Sequence, residues 1–541
     1  MSAPTREDAA PTTTPAERPL VYTVPGVTPG LVASLAAEAE ASGADGVVSS
    51  RESFTDLPLA EYPRATRETV EGAARRARDA QARWAQTPVR ERAALLGRLH
   101  KALRRDRDVI LALTQAETGK SRIHAFDEFM HVLLVAEWCE RNASAILRPE
   151  RRRAAVPGLT SAELRRHPHG LVGHISPWNY PLSLAVSDAL APLVAGNAVL
   201  HKPDTQTALV ALYVRRLAVE CGLDPDLWVI VVGDGPVVGP CVVEASDAVS
   251  FTGSTPTGID VARRAASRLL PVSLELGGKN GMIVAPGADY EAAAEAAVRG
   301  CFSSAGQLCV SIERIVLVGE AYEPFRDAFV RRTRAARLGA GYGDDYEIGT
   351  MTGPAQVERT ESHVRDALER GARALTGGRR RPDLGPFAFE PTILEDVPDD
   401  ARCRREETFG PVVALSRVST VDEAVDAVND TPYGLNASVW AATRREGRQI
   451  AGRLRSGSVN VNEAFAAAFS AVDSPMQGYG LSGVGGRHGR EALEHMTWTQ
   501  TIATQNGPGF GVPAGVPTAA FIGAMTVGLG ALRAVRALRR R

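Results

Sequence analysis

Apolar residues recur at helical spacing early in the chain. Val70, Ala77 and Trp84, with Ala74 and Gln81 between them, predict a helix with one buried stripe. Pro88 interrupts the pattern, and Leu95, Leu96, Leu99 and Leu103 resume it. From residue 170 the rhythm changes. The runs LVGHI (171–175), AVLH (198–201), WVIVV (228–232), AVSF (248–251) and VSLEL (272–276) predict short buried strands. Helical windows at 183–194, 207–220, 236–245 and 256–268 separate them. Strand–helix alternation at this spacing predicts a parallel α/β sheet with covered faces. A second series, MIV (282–284), ERIVLV (313–318), TILEDV (392–397), VVALSRV (412–418), ASVWAA (437–442) and SVNV (458–461), predicts a second α/β unit. The basic, Pro-interrupted stretch 148–170 falls inside the first unit and reads as an excursion that pairs with another subunit.

The two ends break the pattern. Residues 1–18 are polar and Pro/Thr-rich, without the apolar core of a signal peptide, and predict a disordered tail. From Asn506 to Leu532 no residue is charged, and Arg533, Arg536 and Arg539 to Arg541 follow. Pro508, Pro513 and Pro517 leave about 15 usable residues where a spanning helix needs about 20. Residues 506–541 are therefore expected to form a loosely packed apolar-basic tail with no transmembrane segment. A basic amphipathic element touching a membrane or partner is the alternative.

Composition narrows the class. At 541 residues the chain exceeds one ordinary domain. An apolar fraction of 44% and a charged fraction of 23% fit a soluble globular protein and exclude dominant disorder. A net charge of −1 creates no global field for nucleic acid or an anionic membrane. Cys139, Cys221, Cys241, Cys301, Cys309 and Cys403 show no CxxC or paired spacing, so no metal site or disulfide framework is expected. Free thiols predict the reducing cytoplasm. Only four of the 62 cations are lysines: Lys101, Lys120, Lys202 and Lys279. A chain that writes Arg almost everywhere keeps Lys where a compact ammonium matters.

Candidate chemistry gathers at strand ends. SPWNYP (176–181) follows a strand, and Asn179 there can donate an amide N–H to a developing oxyanion. LHKPDT (200–205) places Lys202 at a strand end, within reach of a cofactor's ribose or phosphate. SFTGSTPTG (250–258) is a strand, a small-residue turn and a helix start, which suits a pyrophosphate without being the GxGxxG fingerprint. Gly239, beyond Gly233-Asp234-Gly235, lets an adenosine approach closely. LELGGKN (274–280) sets Glu275 at the end of an apolar strand, where a raised pKa suits a general base. Cys309 follows Gly-Gln-Leu in CFSSAGQLCVSIERI (301–315), and Cys301 is assigned to packing. EETFGPV (406–412) offers a carboxylate and, two positions on, an aromatic ring that suit a ribose and a nicotinamide. A nucleophile, a base, an oxyanion donor and a phosphate turn make a complete active-site inventory.

Together SPWNYP, AGNAVLHKP, FTGS, LELGGKN, GQLC, EETFGPV and PMQGYGLSGVGGRHG resemble the aldehyde dehydrogenase superfamily, in its order and spacing, from about Pro63 to about Thr504. HKPDTQTA, CFSSAGQLCVSIERI and RLRSGSVNVNE are most similar to actinobacterial NADP-type succinate-semialdehyde dehydrogenases. The resemblance implies an α/β aldehyde dehydrogenase-like fold. Its parts would be a five-stranded cofactor-binding domain (52–148 and 170–277), a catalytic domain (278–488) and a bridging, oligomerisation element (149–169 and 489–505). It implies catalysis by Cys309, Glu275 and Asn179. Cofactor contacts would come from Ser176, Trp178, Lys202, Thr205, Gly239, Gly253, Ser254, Glu407 and Phe409. Homodimers or homotetramers, a small-molecule aldehyde and no nucleic acid are implied as partners. The presence of Glu275 favours thioester hydrolysis over transfer of the acyl group to CoA.

Two departures bear on specificity. Arginines that many succinate-semialdehyde dehydrogenases direct at the substrate carboxylate are here Ser303 and Ser187, which cannot pair bidentately with it. Phe465 and Phe469 stand where the family lines its substrate entrance, so a more apolar aldehyde is the alternative substrate. The family's NAD-preferring members carry Glu three residues after the strand-end lysine. Thr205 stands there, with Asp204 expected to point away, which predicts NADP preferred and NAD still accepted.

Overall fold

The computed structural model describes residues 24–41, 46–154, 159–507, 509 and 511–538. The tail expected over 1–18 lies outside the described residues. The two early helices run Arg67–Trp84 and Val89–Arg105. Thr66 caps the first through a reciprocal pair with Thr69, and Pro88 precedes the second. The helices Arg107–Thr118 and Arg122–Leu147 extend this layer beyond the predicted windows.

Each predicted strand run forms a strand. One sheet has the order Gly483–Val484, Val272–Glu275, Ala248–Thr252, Leu171–Ser176, Ala198–Pro203, Trp228–Ile230. Five of these strands are parallel, and the short Gly483–Val484 adds an antiparallel sixth. The implied five-stranded sheet is thus extended by a segment returning from the far end of the chain. The second sheet has seven strands, centred on Val412–Val418, Ile312–Val318 and Asn280–Val284, with one antiparallel edge pair. Both sheets are covered by helices, the α/β class expected.

The 148–170 excursion forms Glu150–Arg152 and Thr160–Pro168, and Thr497–Gln505 pairs antiparallel with the latter from Thr497↔Pro168 to Gln505↔Thr160. The largest core joins the first sheet to its helices. It also takes in Val24 to Ala39 and Val48, which precede the boundary drawn at residue 52.

The other correction concerns the tail. Thr518–Leu538 is one helix of 21 residues, longer than the 15 counted. Pro517 stands outside it, its carbonyl accepting the Phe521 N–H at 3.1 Å, so its missing N–H costs nothing. Arg533 and Arg536 continue the helix because arginine is a good helix former.

Candidate active site

Register in the first sheet brings the carboxyl ends of its strands together. Ile175 lies opposite Phe251, Ser176 opposite Pro203, and Thr252 opposite Glu275. Ligands bind in open α/β sheets beyond such ends. A cleft of about 630 Å³ opens here, and Trp178, Asn179, Gly253, Ser254, Cys309, Glu407 and Phe409 all line it. Seven of the twelve expected site residues thus meet in one cavity.

Cys309 is presented by a strained loop. Ser304 and Ala305 adopt φ of +52° and +54°, followed by Gly306 at +71°. Left-handed non-glycine residues cost about 1–3 kcal/mol each and persist only where the surroundings over-determine them. Here they do. The Ser304 N–H donates to His124 Nδ1 at 3.1 Å, its hydroxyl bonds the Tyr180 hydroxyl at 3.0 Å, and Gln307 Nε2 donates to its carbonyl at 3.0 Å. A Cβ on Gly306 would lie 2.2 Å from the Gly410 carbonyl oxygen.

Asn179 is fixed to the same loop: its Nδ2 donates to the Gln307 carbonyl at 3.0 Å. An amide nitrogen carries two protons, so one remains for an oxyanion. The Asn179 carbonyl accepts from Lys120 Nζ at 2.8 Å. Lys120 is fully buried, paired with Glu128, and lies 3.8 Å from the centroid of the Tyr180 ring. The Cys309 thiol is pushed up to about 12 by burial, against the pull of Arg487 and with the push of the Glu275 and Glu407 carboxylates. The resting group is therefore the thiol.

Glu275 lies behind the cleft, on a buried cavity of about 30 Å³ shared with Ser187, Asp188, Arg487 and His488. Burial raises its carboxyl to about 8, opposed by Arg487 and reinforced by Asp188. Its Oε1 has no partner. Arg487 spends much of its charge on its buried pair with Asp188. Glu275 is therefore protonated over much of the neutral range, yet readily ionised.

The cofactor side fits a nicotinamide dinucleotide. Gly253 and Ser254 precede the helix Thr255–Ala266, whose first N–H groups suit a phosphate. Ser254 bonds the Thr257 hydroxyl at 2.9 Å. Glu407 accepts from the Gly278 N–H at 2.8 Å, and burial raises its carboxyl to about 7. Phe409 has φ +57° and meets Trp178 edge to face at 5.5 Å. Its backbone N–H donates to Glu313 at 2.9 Å, and Glu313 is paired with buried Lys279.

The remaining expected contacts lie off this cleft. Lys202 is buried at its strand end, donating to the Pro203 carbonyl at 3.0 Å. Burial lowers its pKa, opposed by Asp204 and Asp234. The Thr205 hydroxyl donates to the Gly233 carbonyl at 3.2 Å. Asp204 caps the following turn, accepting from the Gln206 N–H at 2.9 Å. The Ser176 hydroxyl bonds His201 Nε2 at 2.8 Å. Gly239 lies in the helix Gly235–Ala245, where a Cβ on it would meet nothing within 4 Å, which leaves that face open to a ligand.

Several residues escaped the sequence reading. Glu128 holds Asn179 through Lys120, and Glu313 holds Phe409 directly while paired with Lys279; only the scarcity of Lys hinted at those partners. Arg359 and Arg402 line the cleft, and Arg359 donates to the Glu407 carbonyl. Ser187 is buried against His131, its hydroxyl 3.3 Å from Nδ1. The Phe469 ring stacks on His131 at 4.5 Å and meets Phe465 edge to face at 6.3 Å.

Comparison with known proteins agrees with this geometry. Residues 40–502 match the model of the aldehyde dehydrogenase family. A Mycobacterium tuberculosis (strain H37Rv) protein named "Putative succinate-semialdehyde dehydrogenase [NADP(+)] 2" is 46% identical over 469 residues, 86% of this chain and 90% of that protein. A Mycolicibacterium smegmatis protein named "Putative succinate-semialdehyde dehydrogenase [NADP(+)]" is 44% identical over 475 residues, 88% and 92% of the two chains. Among solved structures, betaine aldehyde dehydrogenase from Staphylococcus aureus in complex with NAD+ superposes with a TM-score of 0.82 at 28% identity, over 88% of this chain and 95% of that one. An E. coli NADP-dependent enzyme gives 0.83 at 27% identity, over 87% and 99%. The chain belongs to the aldehyde dehydrogenase family.

Proposed function

We propose that the protein oxidises an aldehyde to its carboxylate with NADP, and that succinate semialdehyde is the substrate. The observation that carries the chemistry is the Asn179 amide locked onto the loop that presents Cys309, with the unpartnered Glu275 carboxyl behind it. The Cys309 thiol gives up its proton to solvent water as its sulfur adds to the carbonyl carbon, and Asn179 Nδ2 stabilises the oxyanion that forms. NADP, when bound, accepts the hydride that the aldehyde carbon loses. Cys309 then carries an acyl thioester. Glu275 takes a proton from water as its oxygen attacks the thioester carbon, which releases the carboxylic acid and restores the thiol.

NADP is supported by the names of the mycobacterial relatives and by Thr205, which sets no carboxylate against a 2′-phosphate. The neighbours' complexes with NAD+ support NAD as a second acceptor. Gly253, Ser254, Glu407 and Phe409 would hold the cofactor in the cleft, with Trp178 beside it. Ser176, Lys202, Thr205 and Gly239 would serve its adenosine end.

We place the body in the cytoplasm, in keeping with its six free thiols. We divide the chain at the boundaries expected from sequence, with residues 24–51 added to the cofactor-binding part. The exposed ribbon carrying Trp498 and Ile502 supports a dimer or tetramer built on the bridging strands.

Ser303 and Ser187, both buried, and the Phe465–Phe469 pair favour a second reading, a more apolar aldehyde. The test is kcat/KM for succinate semialdehyde, butanal, hexanal and benzaldehyde, each with NADP and NAD. Succinate semialdehyde should lead with NADP; hexanal leading would replace the substrate, and no oxidation of any aldehyde would remove the proposal. Cys309→Ala should abolish oxidation.

A further inference from the structure

The helix Thr518–Leu538 stands apart from the body that the family model matches, which ends at residue 502. None of its most apolar window is buried. Val527 is 74% and Leu529 56% exposed, values expected for charged residues and not for these. From Asn506 to Leu532 the sequence contains no charge.

Its apolar character goes all the way round. Phe521, Ile522, Met525, Leu529 and Leu532 fall on one face at helical spacing, and up to Leu532 the other faces carry only Ala, Gly, Val and Thr. A helix that docks against a second copy or another protein needs one apolar face and keeps polar residues opposite. A helix apolar on every side is built for burial on every side. Its interior polar side chain is already satisfied: Thr526 Oγ1 donates to the Ile522 carbonyl at 2.8 Å. Hydrocarbon demands that internal pairing, and water does not.

Charge is segregated along the axis instead of around it. Arg533 and Arg536, followed in sequence by Arg539 to Arg541, come only after the apolar stretch. Arg536 lies in line with the large apolar side chains, so the helix cannot lie flat with its cations up. End-on insertion puts the cations at lipid phosphates, where long arginine side chains reach out of the core. At 1.5 Å per residue, the 15 residues before Arg533 give about 22 Å and the whole helix about 32 Å, against a hydrocarbon thickness of about 30 Å, so the reach of the arginine side chains towards the headgroups makes up the difference. Residues 506–517, with three prolines and no charge, link the last strand to this helix.

We infer that Thr518–Leu538 inserts into a phospholipid bilayer and tethers the catalytic body to it, with the arginines at anionic headgroups. This replaces the expectation of a loose tail without a transmembrane segment. It is independent of the proposed reaction, because no residue of the helix lines the cleft.

The test is flotation of the full chain with vesicles of phosphatidylcholine alone or mixed with phosphatidylglycerol. The full chain should float with the mixed vesicles, at least tenfold more than a chain ending at Gln505, and stay bound through high salt and alkaline carbonate. Leu529→Asp in the full chain should abolish flotation, while both altered forms keep wild-type kcat/KM. A full chain that stays in the dense fraction would overturn the inference. So would flotation reversed by salt, which is surface adsorption, or a change in oligomer size on truncation without any vesicle binding.

Discussion

Glu275→Gln separates the two consequences of burying a carboxyl behind the nucleophile. Burial raises its pKa from the ordinary 4.5 to about 8. A shift of about 3.5 units at about 1.4 kcal/mol each is about 5 kcal/mol. The sign follows from linkage: the native carboxyl keeps its proton where the unfolded chain has lost it. The contribution of this one group to stability is therefore fully present below pH 4.5, is lost as pH rises through about 8, and then levels off. Glutamine cannot ionise, so the variant should match the wild type near pH 4.5 and exceed it by up to about 5 kcal/mol at pH 9. With an unfolding entropy of about 2 cal/mol/K per residue, that is a Tm difference of about 5 °C.

Activity moves the opposite way. About a tenth of a carboxyl with pKa 8 is ionised at pH 7 and about nine-tenths at pH 9, so thioester hydrolysis should rise about tenfold between them. Rapid mixing separates the steps. Glu275→Gln should keep a single-turnover burst of NADPH while steady-state turnover collapses and its pH limb disappears. Thermal scans of both forms at pH 5, 7 and 9 complete the assay. A variant that gains no stability between pH 5 and pH 9, or one with a normal steady-state rate, would refute the assignment of Glu275 as a buried base.

Five further substitutions probe the rest of the site and its supports. Lys120→Met leaves the Glu128 carboxylate buried and unpaired, which should lower stability by about 3–5 kcal/mol in urea titration. Adding Glu128→Gln should restore at least half of that loss, and a single variant within about 0.5 kcal/mol of wild type would show that the pair is not held as described. Glu313→Gln weakens the support of the strained Phe409 backbone and unpairs Lys279, so KM for NADP should rise about tenfold, with weaker binding in calorimetry; unchanged affinity would sink this role. Thr205→Glu should reverse the cofactor preference. A carboxylate about 4 Å from a phosphate opposes it by about 4 kcal/mol per charge pair at an effective dielectric of 20, so an unchanged NADP/NAD ratio of kcat/KM would place the determinant elsewhere. Cys301→Ser should keep most activity because Cys301 is core, with about 1–2 kcal/mol lost to burying a hydroxyl; inactivation would give that thiol a role in the reaction.

What could be read in the chain depended on the range of the interaction. Leu171–Ser176 and Ile312–Val318 announce themselves because a strand buried on both faces must be written as an apolar run. Gly483–Val484 could not announce itself: two residues carry no periodicity, and their pairing with Leu274 and Glu275 depends on a return from two hundred residues away. The motifs named Cys309 and Asn179, but the left-handed Ser304–Ala305 step was invisible because neither residue is glycine or asparagine. Strain of this kind is written in its supports, His124, Tyr180 and Gln307, which lie in three different segments.

The scarce lysines carried more than their motifs did. Lys120, Lys202 and Lys279 are buried, whereas Lys101 is exposed. An ammonium packs into a space where a guanidinium would need five partners, and each of the three donates to a backbone carbonyl or a buried carboxylate. In this arginine-rich chain, lysine therefore marked buried cations on both sides of the cleft before any partner was known. The tail was misjudged for the converse reason. Arg533 ends the uncharged stretch, although arginine disfavours burial and not the helix itself. Helix length follows backbone propensity, membrane depth follows side-chain charge, and reading one from the other shortened a 21-residue helix to 15.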